Sequence, residues 1–314
     1  MRICVFGAGA VGGHFAARLA AAGHDVLVVA RGAHLEAMRR NGVKLLHGDE
    51  VIHGRVRTAD MAPQDAVFVT LKANALGSFA QAAAPLLRDD TEVVFAQNGI
   101  PWWYPAELPR LDPGGHLKMT IRNVVGAAVY SANEVVEPGV IRNFVPNNNM
   151  LVVGQANGPD SPRTRELRSI LEDAGISSPP TEDIRRSVWA KLVQNLANST
   201  LCLLTGASIS DVVADPQLKA LKSRISSEAR AIALGLGVDI DKAPTRPGGG
   251  HASGAVGHKP SMLQDYEKGR PMEIEAQLMA PLALARAANV ATPTLDVLIP
   301  VAARKAAAKG LYAP

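Results

Sequence analysis

Some side chains in this chain fall at spacings suited to holding an anion. Gly7-Ala8-Gly9-Ala10-Val11-Gly12 matches G-x-G-x-x-G. It follows a short apolar run, Arg2–Phe6, and opens a helical pattern, Val11–Ala22. In that context the first glycine permits a tight turn, and the second lets backbone approach a pyrophosphate. The third allows close helix–strand contact, and the helix N-terminus offers unpaired N–H groups and a positive dipole. A second apolar run, Asp25–Ala30, ends in Ala30-Arg31-Gly32. An acidic residue there would hold a ribose hydroxyl; Arg31 can instead pair bidentately with a 2′-phosphate. Together these features predict a dinucleotide site that takes NADP(H), lined by Gly7, Ala8, Gly9, Ala10, Val11, Gly12 and Arg31.

Other residues suit proton transfer and polar recognition. The run Ala66–Thr70 leads into Leu71-Lys72, and Glu92–Ala96 leads into Gln97-Asn98-Gly99. Open α/β sheets place ligands at such strand carboxyl ends, so Lys72 and Asn98 are candidates. Further on, the helical pattern Asp183–Leu204 is apolar at Val188, Leu192, Leu196 and Leu203. Lys191, Asn195, Asn198 and Ser199 fall at i, i+4, i+7 and i+8, a polar stripe on one face. A solvated face usually carries several charges; this one has a single lysine and three short neutral groups, which fits a lined cleft better. The segment Lys259-Pro260-Ser261-Met262-Leu263-Gln264-Asp265 and the later Gly269-Arg270-Pro271-Met272-Glu273-Ile274-Glu275 add Ser261, Asp265 and Glu273.

The elements that must position these groups divide the chain in two. Short buried runs alternating with helices predict βαβ units and a parallel sheet. Residues Met119–Val153 hold β-rich pieces with turn signals at Glu137-Pro138-Gly139 and Asn147-Asn148-Asn149, which predicts added, partly antiparallel strands. After the helix Pro162–Ala174 and the prolyl connector Ile176–Thr181, the pattern is almost wholly helical. The expected architecture is an N-terminal α/β Rossmann-type dinucleotide-binding domain, residues 1–180, and an all-α C-terminal domain, 181–314, for substrate and catalysis. Pro244–Pro260, rich in glycine and proline, predicts a long loop.

Composition narrows the class. Apolar residues make up 47% and charged residues 20%, enough to build two cores. A net charge of +4 with no basic stripe argues against a nucleic-acid partner. Cys4 and Cys202 lie in apolar runs without C-x-x-C spacing, which suits a reducing cytoplasm. No signal peptide and no apolar run long enough to span a membrane is legible. The eight histidines show no metal-ligand spacing. Apolar stretches such as Leu278–Ala288 predict a homodimer.

The ordered set of motifs resembles the ketopantoate reductase family from residue 1 to about 300. It rests on G-A-G-A-V-G at 7–12, Arg31, L-K at 71–72, Q-N-G at 97–99, W-x-K-L-x-x-N at 189–195, S-M-L-Q-D at 261–265 and G-R-x-x-E-I-E at 269–275. The resemblance implies NADPH-dependent reduction of 2-dehydropantoate to pantoate, a step toward pantothenate. It makes Lys191 the proton donor and Glu273 the group that holds it. It also makes Asn195 and Ser261 substrate contacts, Asp265 a site residue, Asn98 a neighbour of nicotinamide and substrate, and Lys72 a cleft lysine. The pattern departs from the family at Ser199 and His258, where asparagine is usual, and in the aromatic run Trp102-Trp103-Tyr104. These changes surround the substrate, so a paralogous reductase of another 2-keto acid is the alternative.

Overall fold

The computed structural model describes residues 1–146, 148–246 and 257–314. The chain forms two compact units. One comprises Met1–Gln97, Asp112–Ile184 and Pro244–Ala252; the other comprises Asn98–Leu111, Arg185–Ala243 and Ser253–Pro314.

The first unit carries ten strands among the described residues. They are β1 (Arg2–Phe6), β2 (Asp25–Val29), β3 (Val43–His47), β4 (Glu50–Gly54), β5 (Ala66–Val69), β6 (Glu92–Phe95), β7 (Asn123–Tyr130), β8 (Asn133–Glu137), β9 (Val140–Asn143) and β10 (Met150–Gln155). Six make one sheet in the order β10-β7-β6-β5-β1-β2. Its β2, β1, β5, β6 and β7 run parallel, and β10 pairs antiparallel with β7. Every residue of β5 and β6 is buried, as a parallel strand covered on both faces requires, and this explains the unbroken apolar runs in the sequence.

The other four strands form a second sheet, β4-β3-β9-β8, which the sequence pattern does not separate from the first. Alternation in β3 buries Val43, Leu45 and His47 and half-exposes Lys44 and Leu46, the mark of a sheet covered on one face. That face lies on the helix Ala10–Ala21. The helix can come close because it presents small residues. A Cβ on Gly13 would stand 2.7 Å from Ile141 Cδ1, and one on Gly54 would stand 2.9 Å from Ala17 Cα.

The second unit is helical. Ile184–Thr205 is its longest helix, followed by Ile209–Ala214, Pro216–Gly235, Ser261–Glu267, Ala280–Ala287 and Pro293–Ala308. Caps legible in the sequence fix several starts. Asp215 accepts from Gln217 N and Leu218 N at 2.8 and 2.9 Å, with Pro216 in the first helical turn. A π-helical turn, Glu275–Met279, precedes Ala280–Ala287. Trp189 is fully buried, and its indole N–H donates to Tyr104 Oη at 2.9 Å, so the aromatic run belongs to this unit's core. Of the expected loop Pro244–Pro260, positions 247–256, His251 among them, lie outside the described residues, as does Asn147. No described helix is long and apolar enough to cross a membrane.

Candidate active site

In the first unit the glycine loop is held from several sides. Gly7 has φ +101°, and a Cβ there would stand 2.7 Å from Leu71 Cδ2. Gly7 N and Ala8 N both donate to Val29 O, at 2.9 and 3.2 Å, so the loop hangs on the end of β2. Thr70 Oγ1 donates to Gly7 O at 2.7 Å. A Cβ on Gly12 would lie 2.6 Å from Gly7 O, so only glycine lets the helix approach its own loop this closely. Gly9, by contrast, is exposed and would have only Gly7 O, at 4.0 Å, near an added Cβ. The space over the start of helix Ala10–Ala21 is therefore open on the side of the unpaired N–H groups, which suits a pyrophosphate. Ala8 is buried, Ala10 and Val11 are half-buried, and Arg31 is exposed where β2 gives way to the next helix. Lys72 is half-buried, just ahead of a 3₁₀ turn at Ala73–Ala75.

In the second unit the polar stripe is real but narrower than the sequence spacing suggests. Lys191, Asn195 and Asn198 are half-exposed and Gln194 is exposed, whereas their neighbours turn inward. Ser199 is only 2% exposed. A step of 100° per residue carries position i+8 about 80° off the line of Lys191, but position i+7 only about 20°. Asn198 therefore shares the open face, and its Oδ1 is buried without a hydrogen-bond partner among the described residues. The Lys191 ammonium donates to Asn98 Oδ1 at 2.6 Å.

Asn98 is itself fixed by the next two residues of the chain. Gly99 has φ +88°, and a Cβ there would stand 2.9 Å from Gln277 N; Ile100 N donates to Ala276 O at 2.8 Å. The Q-N-G motif thus docks on the π-helical turn. Glu273 lies just before that turn, 9% exposed, and accepts from Gln277 Nε2 at 3.3 Å. Asp265 is 5% exposed and pairs with Arg270 at 2.9 Å. Ser261 is exposed at the start of its helix. His258 is half-exposed, and its backbone oxygen accepts from Ile209 N at 3.0 Å. Burial holds its imidazole below the usual histidine range. Among the described residues no group of three or more His, Cys, Asp or Glu side chains could hold a metal.

Comparison with known proteins places this arrangement. The family described as ketopantoate reductase PanE/ApbA matches residues 3–154, and its C-terminal counterpart matches 183–306. A 2-dehydropantoate 2-reductase of Mesorhizobium japonicum is 41% identical over 99% of this chain and 100% of its own. A crystal structure from Ralstonia solanacearum, described as a ketopantoate reductase, superposes with a TM-score of 0.86 at 36% identity, covering 99% of each chain. D-mandelate dehydrogenase bound to NADH and anilino(oxo)acetate shares the fold, with a TM-score of 0.82 at 19% identity over 99% of this chain and 100% of that one. The chain belongs to the ketopantoate reductase family, an oxidoreductase family with a dinucleotide-binding fold. It is an α/β dinucleotide-binding unit joined to a helical one.

Proposed function

We propose that the chain reduces 2-dehydropantoate to pantoate with NADPH, in the cytoplasm, as a step toward pantothenate. The observation that carries this reading is the Lys191 ammonium held 2.6 Å from Asn98 Oδ1 on a half-exposed polar helix face. Bound in the glycine loop, a reduced nicotinamide would supply the hydride for C2 of the keto acid. Lys191 gives its proton to the carbonyl oxygen as negative charge develops there, and the product is a hydroxyl. Asn98 accepts from the ammonium and so aims it. Glu273, a buried carboxylate, holds the ammonium in place. Asn195, Ser261 and Asp265 line the substrate side, together with His258; Ser199, expected there from its spacing, is buried and leaves that role to its neighbours. Gly7–Gly12 receive the pyrophosphate, Arg31 takes the 2′-phosphate, and Lys72 completes the cofactor side.

Asn198 favours a second reading, a reductase of a different 2-keto acid. It shares the half-exposed face of Lys191, while Ser199 is packed away. Steady-state assays with NADPH across 2-dehydropantoate and bulkier 2-keto acids decide between them. The first reading expects the highest kcat/KM on 2-dehydropantoate. Turnover confined to other keto acids selects the second, and cofactor binding without any turnover removes both.

The reading includes a homodimer. Val297 and Val301, one helical turn apart on Pro293–Ala308, are 62% and 52% exposed and make an apolar stripe that a second copy would cover. A Staphylococcus aureus ketopantoate reductase with this fold is described as dimeric. Light scattering that finds only monomer at micromolar concentration rejects this part.

A further inference from the structure

His34 stands three residues after Arg31 in the sequence, yet its ring lies between two distant segments. Its Nε2 is 2.6 Å from Ala8 O, inside the glycine loop. Its Nδ1 accepts from the backbone N–H of Gly139, at 2.9 Å, in the turn joining β8 to β9. An Nδ1 that accepts carries no proton, so the ring is neutral, its hydrogen sits on Nε2, and Nε2 donates to Ala8 O. Burial, which holds this imidazole below the usual histidine range, agrees with a neutral ring.

The Gly139 donor is not free to adapt. Gly139 has φ +80°, its own oxygen accepts from Lys44 N at 2.9 Å, and an added Cβ would stand 3.1 Å from Ala37 Cβ. The second sheet and the helix Gly32–Asn41 therefore fix where this N–H points. At the other end, Ala8 O accepts from His34 and Gly9 N donates to Gly7 O at 2.6 Å, so the Ala8–Gly9 peptide is tied through both of its polar groups. That peptide leads through the N-cap Gly9 into the helix that starts at Ala10. Its plane sets the direction of the first-turn N–H groups, which have no partner within the helix.

We infer that His34 is a positioning residue for the cofactor: it transmits the geometry of the second sheet to the phosphate loop and keeps that loop in its anion-binding form. This gives the four-stranded sheet a part in binding. The inference rests on the glycine loop being the dinucleotide site.

The test compares full-length wild type, His34→Ala and His34→Gln by calorimetric binding of NADPH and of NADH, steady-state kinetics and thermal melting. The glutamine amide can still donate to Ala8 O. We expect the cofactor Kd of His34→Ala to rise about tenfold, as for loss of one bond that leaves a buried carbonyl unpaired, with kcat nearly unchanged. His34→Gln should recover the larger part of that affinity. Equal Kd in wild type and His34→Ala overturns the inference, as does a fall in kcat at constant Kd or an equal loss in both variants. Wild type that binds neither cofactor overturns the dinucleotide reading and this inference with it. If His34→Ala does not fold, the glutamine variant and the ¹⁵N shifts of the wild-type ring still decide. A ring protonated on Nδ1 rather than Nε2 is incompatible with the proposed bridge.

Discussion

Two helices carry polar residues four apart: His14 and Arg18 on Ala10–Ala21, Lys191 and Asn195 on Ile184–Thr205. On the first, the second sheet buries His14 and leaves Arg18 half-exposed. His14 is 0% exposed, with Nδ1 3.5 Å from Ser131 Oγ and 3.4 Å from Asn133 Nδ2. Arg18 donates to His47 Nε2 at 2.5 Å. Asn143 and Asn149 close the cluster by bonding each other and Ser131. These groups hold a sheet against a helix, although His14 Nε2, Arg18 Nε and His47 Nδ1 stay buried without a hydrogen-bond partner among the described residues. On the second helix no residue of the stripe is buried as His14 is: Lys191, Asn195 and Asn198 all stay half-exposed. Helical spacing identifies a polar face; its cover decides whether that face can meet a ligand.

The largest expected break in this comparison is at Lys191. Lys191→Ala should lower kcat by about 10²-fold or more while cofactor binding survives, because the charge is needed in the transition state. Glu273→Ala should act on the same step, so the double variant should be barely worse than the worse single one. Arg18→Met on the other helix should leave kcat unchanged and lower the melting temperature. A raised KM with kcat intact in Lys191→Ala would move the proton donor elsewhere, with Lys72 next in line. A smaller effect is expected at Arg31, which is exposed and free of acidic neighbours in sequence. Arg31→Ala should reduce the preference for NADPH over NADH by about tenfold to a hundredfold, the value of a charge-assisted phosphate contact. Equal kcat/KM for both cofactors in the unaltered protein would remove Arg31 from that role.

The same contrast explains which features are legible in the sequence. The glycine loop, the parallel strands and the helix of Lys191 can be read there because each depends on local pattern: a fixed motif, an unbroken apolar run, a 3.6 period. The β3–β4 hairpin escapes such a reading although Gly48-Asp49 sits between two short β-branched or apolar runs, since neither run is long enough to stand out. His34 escapes it for a different reason. Its partners are Ala8 and Gly139, 26 and 105 residues away, and nothing in a one-dimensional pattern brings them together. Asn198 and Ser199 are indistinguishable in a stripe counted at i+7 and i+8; burial separates them.

The buried side of the comparison has its own signature in pH. Desolvation first, and then the nearby Arg18 and His47, push the His14 imidazole down to about 3, against an ordinary 6.5. Its folded pKa lies below its unfolded one, so the unfolded chain takes up a proton that the folded chain refuses. The stability His14 contributes is fully present above its ordinary pKa and is lost as pH falls from 6.5 toward 3. One such proton corresponds to a slope of up to about 1.4 kcal/mol per pH unit. His47 and His34, also held low by burial, add to the slope of the unaltered protein. His14→Gln should therefore flatten the slope without abolishing it, and lose nothing in kcat. Urea unfolding at pH 7 and pH 5, followed by circular dichroism, measures this in the β-rich unit. The three tryptophans, Trp102, Trp103 and Trp189, all lie in the helical unit, so their fluorescence follows the other unit in the same sample. An unchanged pH slope in His14→Gln would mean that the ring already takes a proton in the folded protein, and that the buried cluster is less dry than its packing implies.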